Sequence, residues 1–317
     1  MNTWQFIHNK LSASVDVMLL YVLHSKGSSP GRQGFKMAVG ADNSFFGSIG
    51  GGIMEHKFVE MAKAMLHENT GTARIYRQVH DKKPGINKSG MICSGEQTVF
   101  IYQVQAHDLI HIEALINTLQ ENKNGTLQLS NSGIVFSQNI PEQNFNFVKT
   151  NETDFLLLEK TGYKNRLHII GGGHCALALS RLMSTMDFYI KIYDERQPLN
   201  THEENNYAHE KIIVSSYSDL DSRIESGNNV YVVIMTFGYR SDDLAVRALL
   251  NKTFKYLGVL GSKKKMEKMF AVYKAENIDN VILNKIYSPL GIQIKSETPE
   301  EIAVSIAAEI IAVKNNI

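Results

Sequence analysis

Arg166-Leu167-His168-Ile169-Ile170-Gly171-Gly172-Gly173-His174-Cys175-Ala176 is the stretch on which the reading of the fold turns. Arg166 to Ile170 reads as a strand, the three glycines as a tight turn, and Cys175 to Met186 as a helix. The run fits G-x-G-x-x-A between a strand and a helix. Asp194 closes the next strand, 23 residues after Gly171, where a dinucleotide-binding fold keeps its ribose-binding acid. Gly171, Gly172, Gly173, His174 and Asp194 are therefore candidate dinucleotide or phosphate residues. Arg196 suits a 2′-phosphate, so NAD and NADP both stay open, as does a scaffold whose glycines serve only packing.

Outward from this stretch, short apolar segments at Tyr189 to Tyr193, Val230 to Met235 and Tyr256 to Leu260 are rich in β-branched residues. Helical patterns separate them. Such alternation predicts βαβ units and a parallel sheet covered on both faces. Gly261-Ser262-Lys263-Lys264-Lys265 then opens another helix with three cations at the positive end of its dipole. Either the lysines are solvated, or Ser262, free amides and a lysine such as Lys263 hold a phosphate. Thr298-Pro299-Glu300-Glu301 is a capping box with Pro at the first helical position. The helix it starts, to about Val313, is dominated by Ala and Ile and so reads as packed.

A second glycine run, Gly50-Gly51-Gly52, follows a strand over Ser44 to Ile49 and precedes a helix from Ile53 to Leu66. Met54, Phe58, Met61, Ala62 and Met65 make one face of that helix. Amides at such a turn point at whatever lies above, backed by the helix dipole. Glu55, in the first turn, either stabilises the helix end or faces a ligand as acceptor or base. The loop from Ser25 to Gly34 adds the hydroxyls of Ser28 and Ser29 and the guanidinium of Arg32. Cys93, within Gly90-Met91-Ile92-Cys93-Ser94-Gly95, reads either as a small buried apolar residue or as an accessible thiolate suited to a soft metal. Cys175 either stands where a helix N-terminus lowers a thiol pKa or is filler under the glycine loop.

The rest of this half predicts a helix over Trp4 to Ser12, a strand over Val15 to Leu23, and a hairpin from Lys36 to Ile49 turning at Asp42-Asn43. Further strands fall at Arg74 to Val79, Thr98 to Val104, Thr126 to Ser130 and Ile134 to Ser137, with a helix at Asp108 to Gln120. Polarity rises between Gln138 and Lys164, which places a domain boundary near Thr161-Gly162-Tyr163-Lys164. The expected class is α/β: a mixed α+β domain over 1–162, then a Rossmann-like parallel-sheet domain over 163–317. At 317 residues the chain is long enough for both.

A net charge of +1 points to neither nucleic acid nor an anionic membrane. No apolar run approaches the roughly 18 residues of a spanning helix, and Met1 to Lys10 lacks the order of a signal peptide. Two cysteines fit a reducing compartment. The expectation is a soluble, cytoplasmic protein. The eleven histidines form no metal signature.

Gly27-Ser28-Ser29-Pro30, Gly47-Ser48-Ile49-Gly50-Gly51-Gly52-Ile53-Met54-Glu55 and Met91-Ile92-Cys93-Ser94-Gly95 resemble the first domain of the XdhC/CoxI family, accessory proteins of xanthine dehydrogenase and carbon monoxide dehydrogenase maturation. Gly171 to His174, Gly258 to Lys265, Pro289-Leu290-Gly291-Ile292 and Thr298 to Glu309 are similar to its Rossmann domain and closing helix. The resemblance spans nearly the whole chain, in order. It implies a homodimeric chaperone that binds molybdenum cofactor (molybdopterin) and promotes its insertion into a molybdenum hydroxylase of the xanthine dehydrogenase type. A cysteine desulfurase is a further implied partner, through sulfuration of the metal. By position, Gly50, Gly51, Gly52, Glu55, Cys93, Ser28 and Ser29 become the candidate cofactor residues. Cys93 is the implied soft ligand to molybdenum, and Glu55 and Cys93 would carry any catalytic step. Two departures stand out. Ile53 replaces the cysteine of many CoxI-type relatives, and Thr236-Phe237-Gly238 replaces a Thr-His-type segment. The alternative is an oxidoreductase that binds NAD(P), or another nucleotide, in its second domain.

Overall fold

The computed structural model describes residues 2–68, 73–80, 95–151, 154–197 and 199–317. The chain divides into two compact units, Met1–Gly162 and Tyr163–Ile317.

The first unit contains α1 (Thr3–Ser12), β1 (Val17–Gly27), β2 (Lys36–Gly40), β3 (Phe45–Gly47), α2 (Gly52–Glu68), β4 (Ala73–His80), β5 (Gly95–Gln103), α3 (Leu109–Gln120), β6 (Gly125–Ser130), β7 (Gly133–Ser137), β8 (Phe145–Lys149) and β9 (Phe155–Thr161). One antiparallel sheet runs β3-β2-β1-β5-β4 and another β7-β6-β9-β8. β1 is buried without interruption from Val17 to Leu23 because both of its faces are covered. Met18, Leu20 and Val22 meet Met54, Phe58, Ala62 and Met65 of α2. Leu19, Tyr21 and Leu23 meet α1, α3 and the second sheet.

The polar stretch between Gln138 and Lys164 holds β8 and β9, two strands of that second sheet. β9 alternates, with Phe155, Leu157, Glu159 and Thr161 turned inward. Its buried acid hides the pattern, since a carboxylate at a core position reads as surface. Glu159 is held by the Tyr21 hydroxyl and by Lys36 at 3.6 Å. A buried acid needs such partners.

The second unit contains β10 (Asn165–Ile170), α4 (His174–Met183), β11 (Phe188–Asp194), α5 (Asn200–Glu203), β12 (Glu210–Ile213), α6 (Leu220–Arg223), β13 (Gly227–Ile234), α7 (Tyr239–Leu249), β14 (Phe254–Val259), α8 (Lys263–Ala275), α9 (Asn280–Leu283), β15 (Ile286–Tyr287) and α10 (Pro299–Lys314). The sheet runs β12-β11-β10-β13-β14-β15, and its ladders are parallel. This is the doubly wound order of a Rossmann fold, reversing direction between β10 and β13. Along β10, Leu167 and Ile169 pack on the side of α4 and α10, and Ile170 on the side of α7 and α8. Burial on both faces makes these strands read as continuous apolar runs. β12 and β15 escaped the sequence reading because they are short edge strands of four and two residues. The capping box at α10 forms as the sequence predicts, with Thr298 and Glu301 exchanging bonds to backbone.

No helix among the described residues is long and apolar enough to cross a membrane.

Candidate functional site

In the first unit the glycine turn is bonded by its own helix. Glu55 Oε2 accepts from Ser48 Oγ at 2.6 Å, Ile49 N at 2.8 Å and Gly51 N at 3.0 Å. Gly50 N donates to Ser48 Oγ at 3.1 Å. Burial works to raise the Glu55 pKa, but the bonds from Ser48 and from the Ile49, Gly51 and Gly50 amides hold it below the ordinary carboxylate value. The anion that these amides read is therefore a side chain of the same protein. The bonds from Ser48, Ile49 and Gly51 all fall on Oε2, which leaves Oε1 as the oxygen to face a ligand.

The turn is pressed against the Gly27 to Gly34 loop. Gly50 has φ +129°, and a Cβ there would come within 2.5 Å of Gly31 N. Only glycine meets both demands. Gln97, fully buried on β5, ties the parts together. Its Oε1 accepts from Ser29 Oγ at 2.8 Å and Gly31 N at 3.2 Å, while its Nε2 contacts Met54 Sδ at 3.0 Å. Ser29 is thus buried and turned inward, whereas Ser28 is exposed. Sequence reasoning missed Gln97. The available signal was a polar residue at the inward register of β5, two before Val99 and four before Ile101. Cys93 lies outside the described residues.

In the second unit a cleft of about 800 Å³ opens where the strand order reverses. Its walls follow four strand ends: Gly173 to Ala176 after β10, Arg196, Leu199 to Thr201 and Glu204 after β11, Met235 to Phe237 after β13, and Leu260 after β14. Gly171 takes φ +104°, and a Cβ there would strike Met235 O at 2.5 Å. Gly173, the N-cap of α4, has open space where a side chain would sit, and His174 is exposed.

Asp194 ends β11 as expected but carries a different load from that of a ribose acceptor. It is fully buried. Oδ2 accepts from Gly172 N at 2.6 Å and Arg196 Nη2 at 2.8 Å; Oδ1 accepts from Arg196 N at 2.8 Å and Arg196 Nε at 2.9 Å. Two oxygens with two bonds each have no vacant acceptor site. The carboxylate is a latch between the glycine turn and Arg196. Thr201, also missed, holds the other side of that turn through Oγ1 to Gly172 O at 2.6 Å. Nearly buried His202 packs its Cδ2 edge towards Gly172, and its Nε2 has no partner among the described residues.

Cys175 is half-buried, which fits the filler reading rather than a lowered thiol pKa. Burial pushes its thiol up, and the Glu300 charge adds to the effect, outweighing the helix end. Lysine placement is also resolved. Lys265 turns inward, pairing with fully buried Asp242 and donating to Leu260 O at 3.2 Å; Asp242 also accepts from Thr236 Oγ1 at 2.6 Å. Ser262 caps its own helix by accepting from Lys265 N at 3.3 Å. Lys263 and Lys264 are exposed, and neither they nor Ser262 line the cleft. Among the described residues there is no group of three or more side chains able to hold a metal.

Residues 167–310 match the XdhC Rossmann domain, and residues 11–77 match the XdhC and CoxI family. The chain belongs to the XdhC and CoxI family. It is 26% identical over 301 residues to the uncharacterised protein YqeB of Escherichia coli, covering 93% of this chain and 43% of that protein. The chain therefore spans less than half the length of that relative. It is 22% identical over 322 residues to a probable xanthine dehydrogenase subunit of Bacillus subtilis, covering 95% of this chain and 94% of the relative. The crystal structure of a xanthine dehydrogenase from Bacillus halodurans superposes with a TM-score of 0.72 at 22% identity, over 100% of this chain and 96% of that one. At that identity the likeness establishes the fold alone.

Proposed function

We propose that this XdhC-family chain is an accessory protein of a xanthine-dehydrogenase-type molybdenum hydroxylase, and that it binds molybdenum cofactor and promotes its maturation and insertion. The supporting observation is the match to both family domains in order along one chain. A homodimer, and a cysteine desulfurase as sulfur source, belong to the same proposal.

The site residues of the first unit fit the pterin end of that cofactor, with one change of role. The Ile49 and Gly51 amides are already bonded to Glu55, so they are not a waiting phosphate cradle. What the site offers is a carboxylate with an open Oε1. A carboxylate of this kind accepts from the amino and ring N–H groups of a pterin. Gly50, Gly51, Gly52 and Ser48 position it, and Ser28 and Cys93 are the further candidates carried by the family resemblance. When bound, the cofactor would supply the molybdenum–dithiolene centre that the hydroxylase uses.

The test is retention of pterin. Full-length protein is produced in cells that make molybdopterin, and oxidised pterin released from it is measured by fluorescence. Glu55→Gln keeps an oxygen for the turn amides but presents an NH₂ to a donor-bearing ligand. It is expected to lower retention about ten-fold, as loss of one charged hydrogen bond does, with a melting temperature lowered by only a few degrees as the turn amides lose a charged acceptor. Wild-type protein that releases no pterin, or Glu55→Gln that retains it fully, overturns the proposal.

A further inference from the structure

The cleft of the second unit has the position of a dinucleotide site, yet its residues do not suit a ribose diol. The acid that would accept the 2′- and 3′-hydroxyls is fully buried, with all its acceptor positions filled by Gly172 and Arg196. The group that faces the cleft in its place is the guanidinium of Arg196, whose side chain is 40% exposed.

That guanidinium is held side-on. Of the five N–H groups of an arginine, Nε–H and one Nη2–H go to Asp194. Three remain, two on Nη1 and one on Nη2. A pre-oriented fork of this kind is matched by a phosphate, which accepts two parallel bonds from it. The ion pair has already immobilised the side chain, so ligand binding need not pay that entropy again.

Beside Arg196, Phe237 follows β13 with 87% of its surface exposed. The Arg196 Cζ lies 5.8 Å from its ring centroid. A large apolar ring left in water beside a cleft is a platform on which a planar heterocycle can stack. The cleft floor adds Gly173, which offers open space at the first turn of ten-residue α4, where amides have no partner within the helix. Buried His202, with an unpartnered Nε2, lies against the same glycine turn.

We infer that this cleft binds an adenine-type nucleotide carrying a phosphomonoester on its ribose, as at the 2′-phosphate end of NADP, and discriminates against the unphosphorylated diol of NAD. Arg196 reads the phosphate, Phe237 takes the base, and Asp194 acts as a positioning residue that fixes Arg196 and closes the diol pocket. The inference concerns the second unit alone and does not depend on what the first unit binds.

Isothermal titration of the full chain with four probes decides it: adenosine 2′,5′-bisphosphate, 5′-AMP, NADP⁺ and NAD⁺. Each phosphorylated member is expected to bind at least about ten-fold more tightly than its partner, as a charged bidentate contact gives, with the margin shrinking at high salt. Phe237→Ala, a surface change, is expected to weaken all four several-fold while keeping the preference. Arg196→Gln is expected to abolish the preference; should that variant fail to fold, Arg196→Lys, which keeps the charge but loses the fork, is expected to reduce it. Equal affinity within each pair, a reversed preference, or no saturable binding of any probe overturns the inference.

Discussion

Replacing Asp194 by alanine tests the latch directly. The change leaves Gly172 N–H, now 2.6 Å from the lost oxygen, without an acceptor beneath a buried turn. An orphaned buried donor costs about 1–3 kcal/mol. The Arg196 charge adds less than in a fully buried pair, where losing one partner costs about 3–5 kcal/mol, because its head reaches water. Together these place the loss at about 2–4 kcal/mol, or roughly 5–15 °C in melting temperature for a unit of this size. Urea unfolding of the full chain, followed by far-ultraviolet ellipticity, measures it. Fluorescence of Trp4, the single tryptophan, follows the first unit separately.

The pH dependence adds a second arm. Burial pushes the Asp194 carboxyl up, but bonds from Arg196 and from the Gly172 amide hold it below its ordinary 3.8. A carboxylate depressed in the folded state contributes fully above its unfolded pKa, and that contribution disappears as pH falls through the folded value. The gap between wild type and Asp194→Ala is therefore expected to stay level above about pH 5 and to shrink below about pH 4. A loss under about 1 kcal/mol near neutral pH, or a gap indifferent to acid, would refute the latch.

Lys265→Met strands the buried Asp242 carboxylate and is expected to cost about 3 kcal/mol or more, whereas Lys263→Ala and Lys264→Ala should each stay within about 0.5 kcal/mol of wild type; chemical denaturation of the three variants separates an inward lysine from two solvated ones. Gly50→Ala forces a Cβ into Gly31 N at φ +129°, so a loss of about 2–4 kcal/mol is expected. A Gly50→Ala protein with an unshifted Trp4 unfolding midpoint would show that the turn is looser than described.

The Rossmann fold was legible because its signals are local. Burial on both faces gives apolar strands, helices alternate with them, and a glycine turn opens α4. β9 was illegible because one inward position is Glu159, whose charge is matched by Tyr21 and Lys36 from strands more than a hundred residues earlier. Gln97 was missed for a related reason: a polar residue inside a sheet declares its role only through what it touches.

The two glycine turns show where local pattern stops. Sequence alone determined that strand, turn and helix follow one another twice, since glycine geometry and apolar spacing are properties of neighbouring residues. It also placed Glu55 and Asp194 beside those turns. Only the tertiary structure decided what the two carboxylates do. Each closes on backbone amides of its own turn, so the protein supplies the anion that a free turn would seek outside. The physical reason is that a carboxylate is committed once its acceptor sites are filled: Asp194 reaches Gly172 only because β10 and β11 pair side by side, and Glu55 reaches Ser48, Ile49 and Gly51 only because the turn folds back over the start of α2.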